Sequence, residues 1–328
     1  MQERALALLK FLARRVLQAI PMLFGLATLV FFVSRLLPGD PASVYISPGI
    51  PPGVAEHLRS QFGLDRPLWD QYIAWLSAVL RGEFGFSFAH GAPVATVLLQ
   101  VFPNTLLLGA TAFLIECVLA FALAALAVRR PGSRFDRALS HLTLVVYSLP
   151  SFWIGILLLS LFSFTLKIFP SSQMHSVGVE DLGRLAAFGD LLKHLTLPAL
   201  TVAVPGTAVI ARYLRTSMIE TMRQEYVVAA TGMGLSKGRV FRSWILPNSL
   251  GPVISVLGVE IGVLLTGVLV TETLFAWPGV GRFAVMAIFT RDYPMILGCT
   301  LLGGVLVIAA NILADFIRAW IDPRVRLG

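Results

Sequence analysis

Charge is scarce in this sequence. Of its 328 residues, 13% are Asp, Glu, Lys or Arg, 56% are hydrophobic, and mean hydropathy is +0.80. A soluble domain carries about 25% charged residues. The shortfall excludes an ordinary water-exposed fold and puts the chain in the membrane class. Cysteine is nearly absent too. Cys117 and Cys299 lie far apart inside apolar runs, which excludes a disulfide framework and cysteine metal sites and leaves them as small packing residues. The five histidines (His57, His90, His141, His175, His194) are scattered without metal-ligand spacing. There is no Gly-x-Ser-x-Gly elbow and no catalytic pair for an intramembrane protease. The glycines of residues 232–238 approach a phosphate loop, but Lys237 is followed by Gly238 and Arg239 where that loop requires Ser or Thr. The chain is therefore expected to bind no ATP, cofactor or metal itself and to catalyse no reaction. Internal repeats and low-complexity segments are missing as well.

What is present is apolar and long. A membrane helix needs about 20 apolar residues, and six runs qualify: Val16–Leu37, Asn104–Val128, Leu139–Phe169, Leu195–Leu214, Leu250–Leu274 and Met295–Trp320. The third is long enough to be tilted or bent. The expected architecture is all-α, a polytopic bundle of six transmembrane helices. Basic residues orient it. With the N-terminus inside, inner segments hold Arg4, Lys10, Arg14, Arg15, Arg129, Arg130, Arg134, Arg137, Arg212, Arg215, Arg223, Lys237, Arg239, Arg242, Arg318, Arg324 and Arg326. Outer segments hold Arg59, Arg66, Arg81, Arg184, Lys193, Arg282 and Arg291. Both termini are thus expected in the cytoplasm. The net charge of +8 becomes a topology signal, so no nucleic-acid partner is expected. The first run follows basic residues as a signal peptide would, but Pro38-Gly39-Asp40-Pro41 replaces a small-x-small cleavage site, and it reads as a retained anchor.

One membrane domain is expected over residues 1–328. It comprises a cytoplasmic tail (1–15), an outer loop (38–103), core spans (104–320) that include a polar segment (216–248), and a second tail (321–328). In the outer loop, Pro38–Pro41 stops the first span, and Pro48, Pro51 and Pro52 keep the next stretch irregular. Leu68–Leu80 has helical apolar spacing with Trp69, Tyr72 and Trp75, which fits either an interfacial helix or a cap packed on the spans. Pro21, Pro150, Pro198 and Pro205 fall within spans, where proline kinks a helix. Such bends suit a gated pathway or plain packing.

The polar segment Glu225–Asn248 separates two long apolar runs. Gly232 and Gly234 should break a helix, and Leu246-Pro247 should end the following segment, giving a helix, a turn and a second helix presented to a soluble partner. Ala229, Ala230 and Gly234 are small enough for another surface to approach. Charges inside spans are few and costly unless they face protein or water. Glu116, Glu260 and Glu272 are candidate pathway residues, and a structural role stays open for Glu116 and Glu260. Asp315 is read as structural, capping a helix or pairing with inner-face arginines, and Arg35 lies near the outer end of the first span. An ion-coupled carrier using Glu116, Glu260 and Asp315 is an alternative of another class.

Motifs in order along the chain carry a resemblance. They are Leu37-Pro38-Gly39-Asp40-Pro41; Phe62-Gly63-Leu64-Asp65-Arg66-Pro67 with Gln71-Tyr72; Gly82-Glu83-Phe84-Gly85 with Ser87; Ser148-Leu149-Pro150 with Phe152-Trp153; Trp277-Pro278-Gly279-Val280-Gly281-Arg282; Arg291-Asp292-Tyr293-Pro294; and Asp322-Pro323-Arg324. With the polar segment, which resembles an EAA coupling loop, they make the chain similar, nearly end to end, to permease subunits of dipeptide, oligopeptide and nickel ABC importers. The segment departs from the family where Val228, Thr231 and Met233 replace basic residues and where Trp244 to Asn248 replaces a His-x-x-x-Asn pattern.

The resemblance implies the type I importer permease fold and a multi-pass place in the bacterial inner membrane. It implies a second, homologous permease, two ATPase subunits that bind the ATP and magnesium, and an extracytoplasmic solute-binding protein. ATP binding would drive the inner loops together and open the path outward, and hydrolysis would reset it. Coupling would fall to Glu225, Tyr226, Ala229, Ala230, Gly232, Gly234, Leu235, Ser236, Pro247 and Asn248. Peptides are the favoured substrate, with nickel or a metal chelate as the alternative.

Overall fold

Inside hydrocarbon every backbone polar group must bond within the chain, so runs of Leu, Val and Ala this long are expected to form helices. The computed structural model describes residues 2–36, 65–87, 89–179 and 183–321, which are largely helical. Helix α1 is Gln2–Leu36, α2 Leu68–Leu80, α3 Val94–Val128, α4 Arg134–Ser148, α5 Ser151–Leu158 and α6 Arg184–Met222. Then follow α7 Glu225–Gly232, α8 Lys237–Val240, α9 Leu246–Leu274, α10 Val280–Thr290 and α11 Tyr293–Ile321. π-Helical turns, Leu159–Thr165 and Phe241–Ile245, extend α5 and join α8 to α9. Two short strands, β1 Phe86–Ser87 and β2 Ala92–Pro93, pair antiparallel with Phe86 opposite Pro93. Pro38–Pro41, Pro48, Pro51, Pro52, Phe62–Leu64 and Asp322–Arg324 lie outside the described residues, as do His57, Arg59 and Arg326.

Among the described residues five helices are long and apolar enough to cross a membrane: Lys10–Leu36, Val94–Val128, Arg184–Met222, Val256–Leu274 and Tyr293–Phe316. A sixth crossing is reached where α4 and α5, which meet at 105°, are counted as one bent span. The run Leu139–Phe169, expected to be tilted or bent, is thus sharply bent. Pro150 is the cause: its ring disfavours helical backbone at the residue before it. Leu149 accordingly sits at ψ 136° and Pro150 at ψ 138°, immediately before α5. Pro150 thus starts a helix rather than kinking one. Pro21, Pro198 and Pro205 do lie inside helices, as do Pro103 and Pro252.

The chain divides into two compact units. The first comprises Met1–Val16, Leu106–Trp277 and Val307–Gly328. Its centre is α6, against which α9, α4 and α5 pack. The apolar window of α6 is 72% buried, against 17% for α1 and α11, so α6 is enclosed by protein while α1 and α11 leave much of their apolar surface for lipid. Small residues allow this close approach. Ala199, Ala203, Ala208 and Ala211 are buried along α6. On α5, a Cβ at Gly155 would lie 2.6 Å from Leu274 Cδ2.

The second unit comprises Leu17–Thr105 and Pro278–Leu306. Here α2, with the expected bounds, packs on α1. Tyr72 is buried, lies within 5.3 Å of Phe31 and 5.5 Å of Phe32 by ring centroids, and its hydroxyl is 2.7 Å from Thr28 Oγ1. Trp69 remains exposed. The packing of Tyr72 on α1 supports the cap reading.

Candidate coupling surface and membrane-embedded polar site

The polar segment forms a helix, a turn and a helix. Gln224 is extended (ψ 142°) and separates α6 from α7. Gly232 is the last residue of α7. Gly234, at φ +82°, bonds back to Thr231 O at 3.0 Å. That left-handed conformation favours glycine, and it turns the chain into Ser236, the residue before α8. Leu246-Pro247 does not end the second helix, contrary to expectation. Pro247 sits in the first turn of α9. A helix-interior proline clashes with the carbonyl four residues back. For Pro247 that is Ser243, which lies in the wider π-helical turn Phe241–Ile245. Asn248 Nδ2 donates to Trp244 O at 2.7 Å across the same stretch.

The faces of α7 separate cleanly. Val227 and Ala230 point inward, packed with Leu214, Met218, Val240, Ile245 and Val253. Ala230 is 0% exposed. It is small for the sake of this core, which corrects the reading that keeps it open to a partner. Leu235 is half-buried against the same cluster. Glu225, Tyr226, Ala229, Thr231, Gly232, Gly234 and Ser236 are exposed, as are Pro247 and Asn248. Val228 and Met233 are 59% and 71% exposed. Lys237, Arg239 and Arg242, in the helical stretch that follows, are exposed as well. Tyr226 leans on Trp244, with ring centroids 6.2 Å apart.

A clamp that sequence reasoning missed holds the base of this segment. Arg215, near the end of α6, grips Asp136 with two donors, Nε and Nη2, the latter at 2.7 Å. Asp136 Oδ2 also accepts from Gly132 N (2.8 Å), and Asp136 N donates to Ser133 Oγ (3.2 Å). Asp136 is 1% exposed. The signal available in the sequence was Ser133-x-x-Asp136, a capping-box spacing at a helix start. The arginine partner, 79 positions away, had no local sign.

Deeper in the first unit, Glu116 is 1% exposed. Its carboxylate fills the place where Gly206 lacks a side chain, and a Cβ there would overlap Glu116 Oε1. Glu116 Oε2 and the neighbouring Thr207 Oγ1 have no hydrogen-bond partner among the described residues. Glu260 is half-buried and lines a cavity of ≈ 490 Å³ with Tyr147, Val209, Arg212, Tyr213, Val256 and Val259. Arg212 and Glu260 both lie within membrane-length helices, where a charge is costly unless it meets water or protein. Glu272 is placed elsewhere. It is fully buried at the end of α9, its carbonyl accepts from Trp277 N at 2.8 Å, and it is not among the residues lining this cavity. Asp315 pairs with Arg15 at 3.1 Å, as expected.

The sequence motifs meet in space within the second unit. Ser87 Oγ donates to Asp292 Oδ2 at 2.5 Å, across 205 positions. Asp292 Oδ1 accepts from Met295 N at 3.2 Å at the start of α11. Ser87 Oγ also lies 2.9 Å from His90 Nδ1. In a hydrolytic triad the histidine sits between serine and carboxylate. Here the serine sits between the other two and is fully buried, so the trio is a structural lock. A Cβ at Gly85 would lie 3.3 Å from Pro294 Cβ. Asn104 Nδ2 donates to Pro278 O (2.9 Å) and Thr105 Oγ1 accepts from Val280 N (2.8 Å).

Two histidines that look scattered in sequence also converge in the first unit. His175 and His194 approach Asp190 at 3.8 and 3.6 Å, and Ser176 donates to Asp190 through N (2.8 Å) and Oγ (2.7 Å). Among the described residues no group of three His, Cys, Asp or Glu is placed to hold a metal ion.

Membrane-length helices, carboxylates sheltered within them and a polar helix–turn–helix bearing an exposed apolar patch define a membrane transport permease. The chain belongs to the family described as "binding-protein-dependent transport system inner membrane component", which it matches over residues 117–327, and the matching N-terminal component covers residues 8–109. It is 34% identical over 316 residues to the oligopeptide transport system permease protein AppB of Bacillus subtilis, covering 96% of this chain and 98% of that one. It is 38% identical over 323 residues to a putative peptide permease protein of Brucella suis (98% and 100% covered), and 34% over 336 residues to the dipeptide transport system permease protein DppB of Escherichia coli K12 (97% and 99%). Two solved structures of the inward-facing MetNI methionine ABC transporter align at TM-scores of 0.53 and 0.54 with 16% identity, over 70% and 69% of this chain and 96% of each of theirs. At that identity they show the fold alone.

Membership makes the chain a non-catalytic, multi-pass permease subunit of an ABC importer in the bacterial inner membrane, working with ATPase and binding-protein partners. The ion-coupled reading of Glu116, Glu260 and Asp315 gives way to it.

Proposed function

We propose that this permease forms half of the path for di- and oligopeptides in a five-part importer. The other parts are a second, homologous permease, two ATPase subunits and one external binding protein. Near full-length similarity to permeases named for oligopeptide and dipeptide transport carries this reading. The exposed patch of α7 is the surface offered to an ATPase. Val228, Ala229 and Met233 supply apolar contact, Gly234 turns the chain without bulk, and Val227, Ala230 and Leu235 anchor the patch to the core. ATP and magnesium belong to the ATPases, since the 232–238 glycines lack the Ser or Thr of a phosphate loop. Force applied at α7 reaches the spans by two routes, the Arg215–Asp136 clamp into α4 and the helical run from α8 into α9. The excess of basic residues in alternate loops supports cytoplasmic termini and a cytoplasmic α7.

The test is ATP hydrolysis by the complete complex in lipid discs, with its binding protein, across a peptide panel and free or chelated nickel. Stimulation by peptides is expected. Stimulation by nickel or its chelates alone would overturn the peptide assignment.

A further inference from the structure

The cavity between α4, α6 and α9 joins two opposite charges carried on different helices. Arg212 stands on α6 beside Tyr213, Glu260 stands on α9 beside Val259, and Tyr147 of α4 closes one side. Among the described residues neither charged side chain has a hydrogen bond or ion pair of its own. Arg212, Tyr213 and Val259 are exposed in the chain by itself. Arg212 lies within a membrane-length helix, Arg184–Met222, where an arginine turned to lipid is disfavoured, so this face is taken to meet water or protein.

We propose that this cavity is a site for a zwitterion, in which Arg212 takes a carboxylate and Glu260 an ammonium, so that a free peptide is read by its two charged ends. This rests on the peptide reading above and adds a recognition element to it. The guanidinium presents paired donors that match a carboxylate in two parallel bonds. A carboxylate such as that of Glu260 is an acceptor-only partner for an ammonium. The tyrosines offer ring faces to a cation and hydroxyls at their tips. The remaining wall is Ala208, Val209, Val256 and Val259, apolar surface that accommodates side chains without hydrogen-bond demands on them. The cavity lies in the usual range for small-ligand sites, about 300–1,000 Å³. The site therefore requires free termini and tolerates sequence.

The experiment is equilibrium dialysis of radiolabelled trialanine, N-acetyl-trialanine and trialanine amide against the permease–ATPase complex in lipid discs, with the binding protein left out. The free tripeptide is expected to bind about tenfold or more tightly than either blocked form, the scale of losing one charged hydrogen-bonded partner. Arg212→Gln should erase the preference over the amide and keep that over the acetyl form. Glu260→Gln should do the reverse. Because each variant is judged by a ratio between ligands, a fall in folded protein does not mimic the result. If either variant fails to assemble, Arg212→Lys and the wild-type ratios decide. Equal binding of all three ligands to the wild type overturns the proposal, as do variants that keep both preferences. Trialanine uptake by the wild-type complex with its binding protein is measured alongside. Uptake without end discrimination sinks this site and leaves the peptide importer standing, whereas no uptake of this or any peptide sinks both.

Discussion

At the scale of single residues, two polar groups in this membrane chain are held by fit to their neighbours. Glu116 occupies the space that Gly206 leaves. Gly206→Ala should push that carboxylate off its site and cost about 1–3 kcal/mol, the usual price of overpacking. Thermal unfolding in lipid discs should show a lower midpoint, restored when Glu116→Ala is added. An unrestored double variant would mean the two do not collide. Asp136→Ala strips Arg215 of a bidentate partner. Breaking a buried pair costs about 3–5 kcal/mol, and the partial exposure of Arg215 (25% of its side chain) argues for the lower end. Asp136→Ala and Arg215→Ala should each destabilise the chain, and the double variant should be less destabilised than the sum. Strict additivity would rule out a clamp. Neither feature can be read from sequence. A glycine amid apolar residues gives no sign that a carboxylate fills its place, and an arginine near a span end looks like a topology signal until its partner is placed.

At the scale of elements, the runs long enough to span were legible because length and hydropathy settle membrane helices almost alone. The helix Leu68–Leu80 was legible to the residue, because the prolyl stretch before it and Gly82 after it bound a strong apolar period. The break at Pro150 was half legible. The proline was visible, but whether it bends a helix or separates two depends on what packs on either side. The inward turn of Ala230 was not legible, since a helix of eight residues fits its pattern in more than one rotation. That rotation sorts variants on α7. Val228→Glu and Gly234→Glu both project into open space. The first should leave folding intact, and the second adds left-handed strain of about 1–2 kcal/mol. Both should leave the complex in the membrane and reduce substrate-stimulated ATP hydrolysis at least severalfold. Normal hydrolysis in both would count against docking at this patch.

At the scale of the whole molecule, the family was legible from motifs whose purpose appears only in three dimensions. Ser87 and Asp292, Gly85 and Pro294, and Thr105 and Val280 come from distant stretches and form one set of junctions within the second unit. All but Thr105 belong to the motifs whose order along the chain carried the resemblance, and these contacts give the motifs a structural purpose. The three carboxylates read as pathway candidates fall in different surroundings. Glu260 lines a cavity and Glu116 is sheltered behind Gly206, while Glu272 is enclosed in packed protein. Arg212 was read only as a topology charge, because its place opposite Glu260 depends on how α6 and α9 face each other.

That ATPases act on this permease through α7 can be read directly by cross-linking. In a chain whose native Cys117 and Cys299 are replaced, Ala229→Cys and Ala230→Cys are compared in the assembled complex. Ala229→Cys, on the exposed face, should cross-link to an ATPase subunit and lose maleimide labelling when the ATPases are bound. Ala230→Cys, in the core, should do neither. Unchanged labelling of Ala229→Cys, with no cross-link, would contradict docking at this surface.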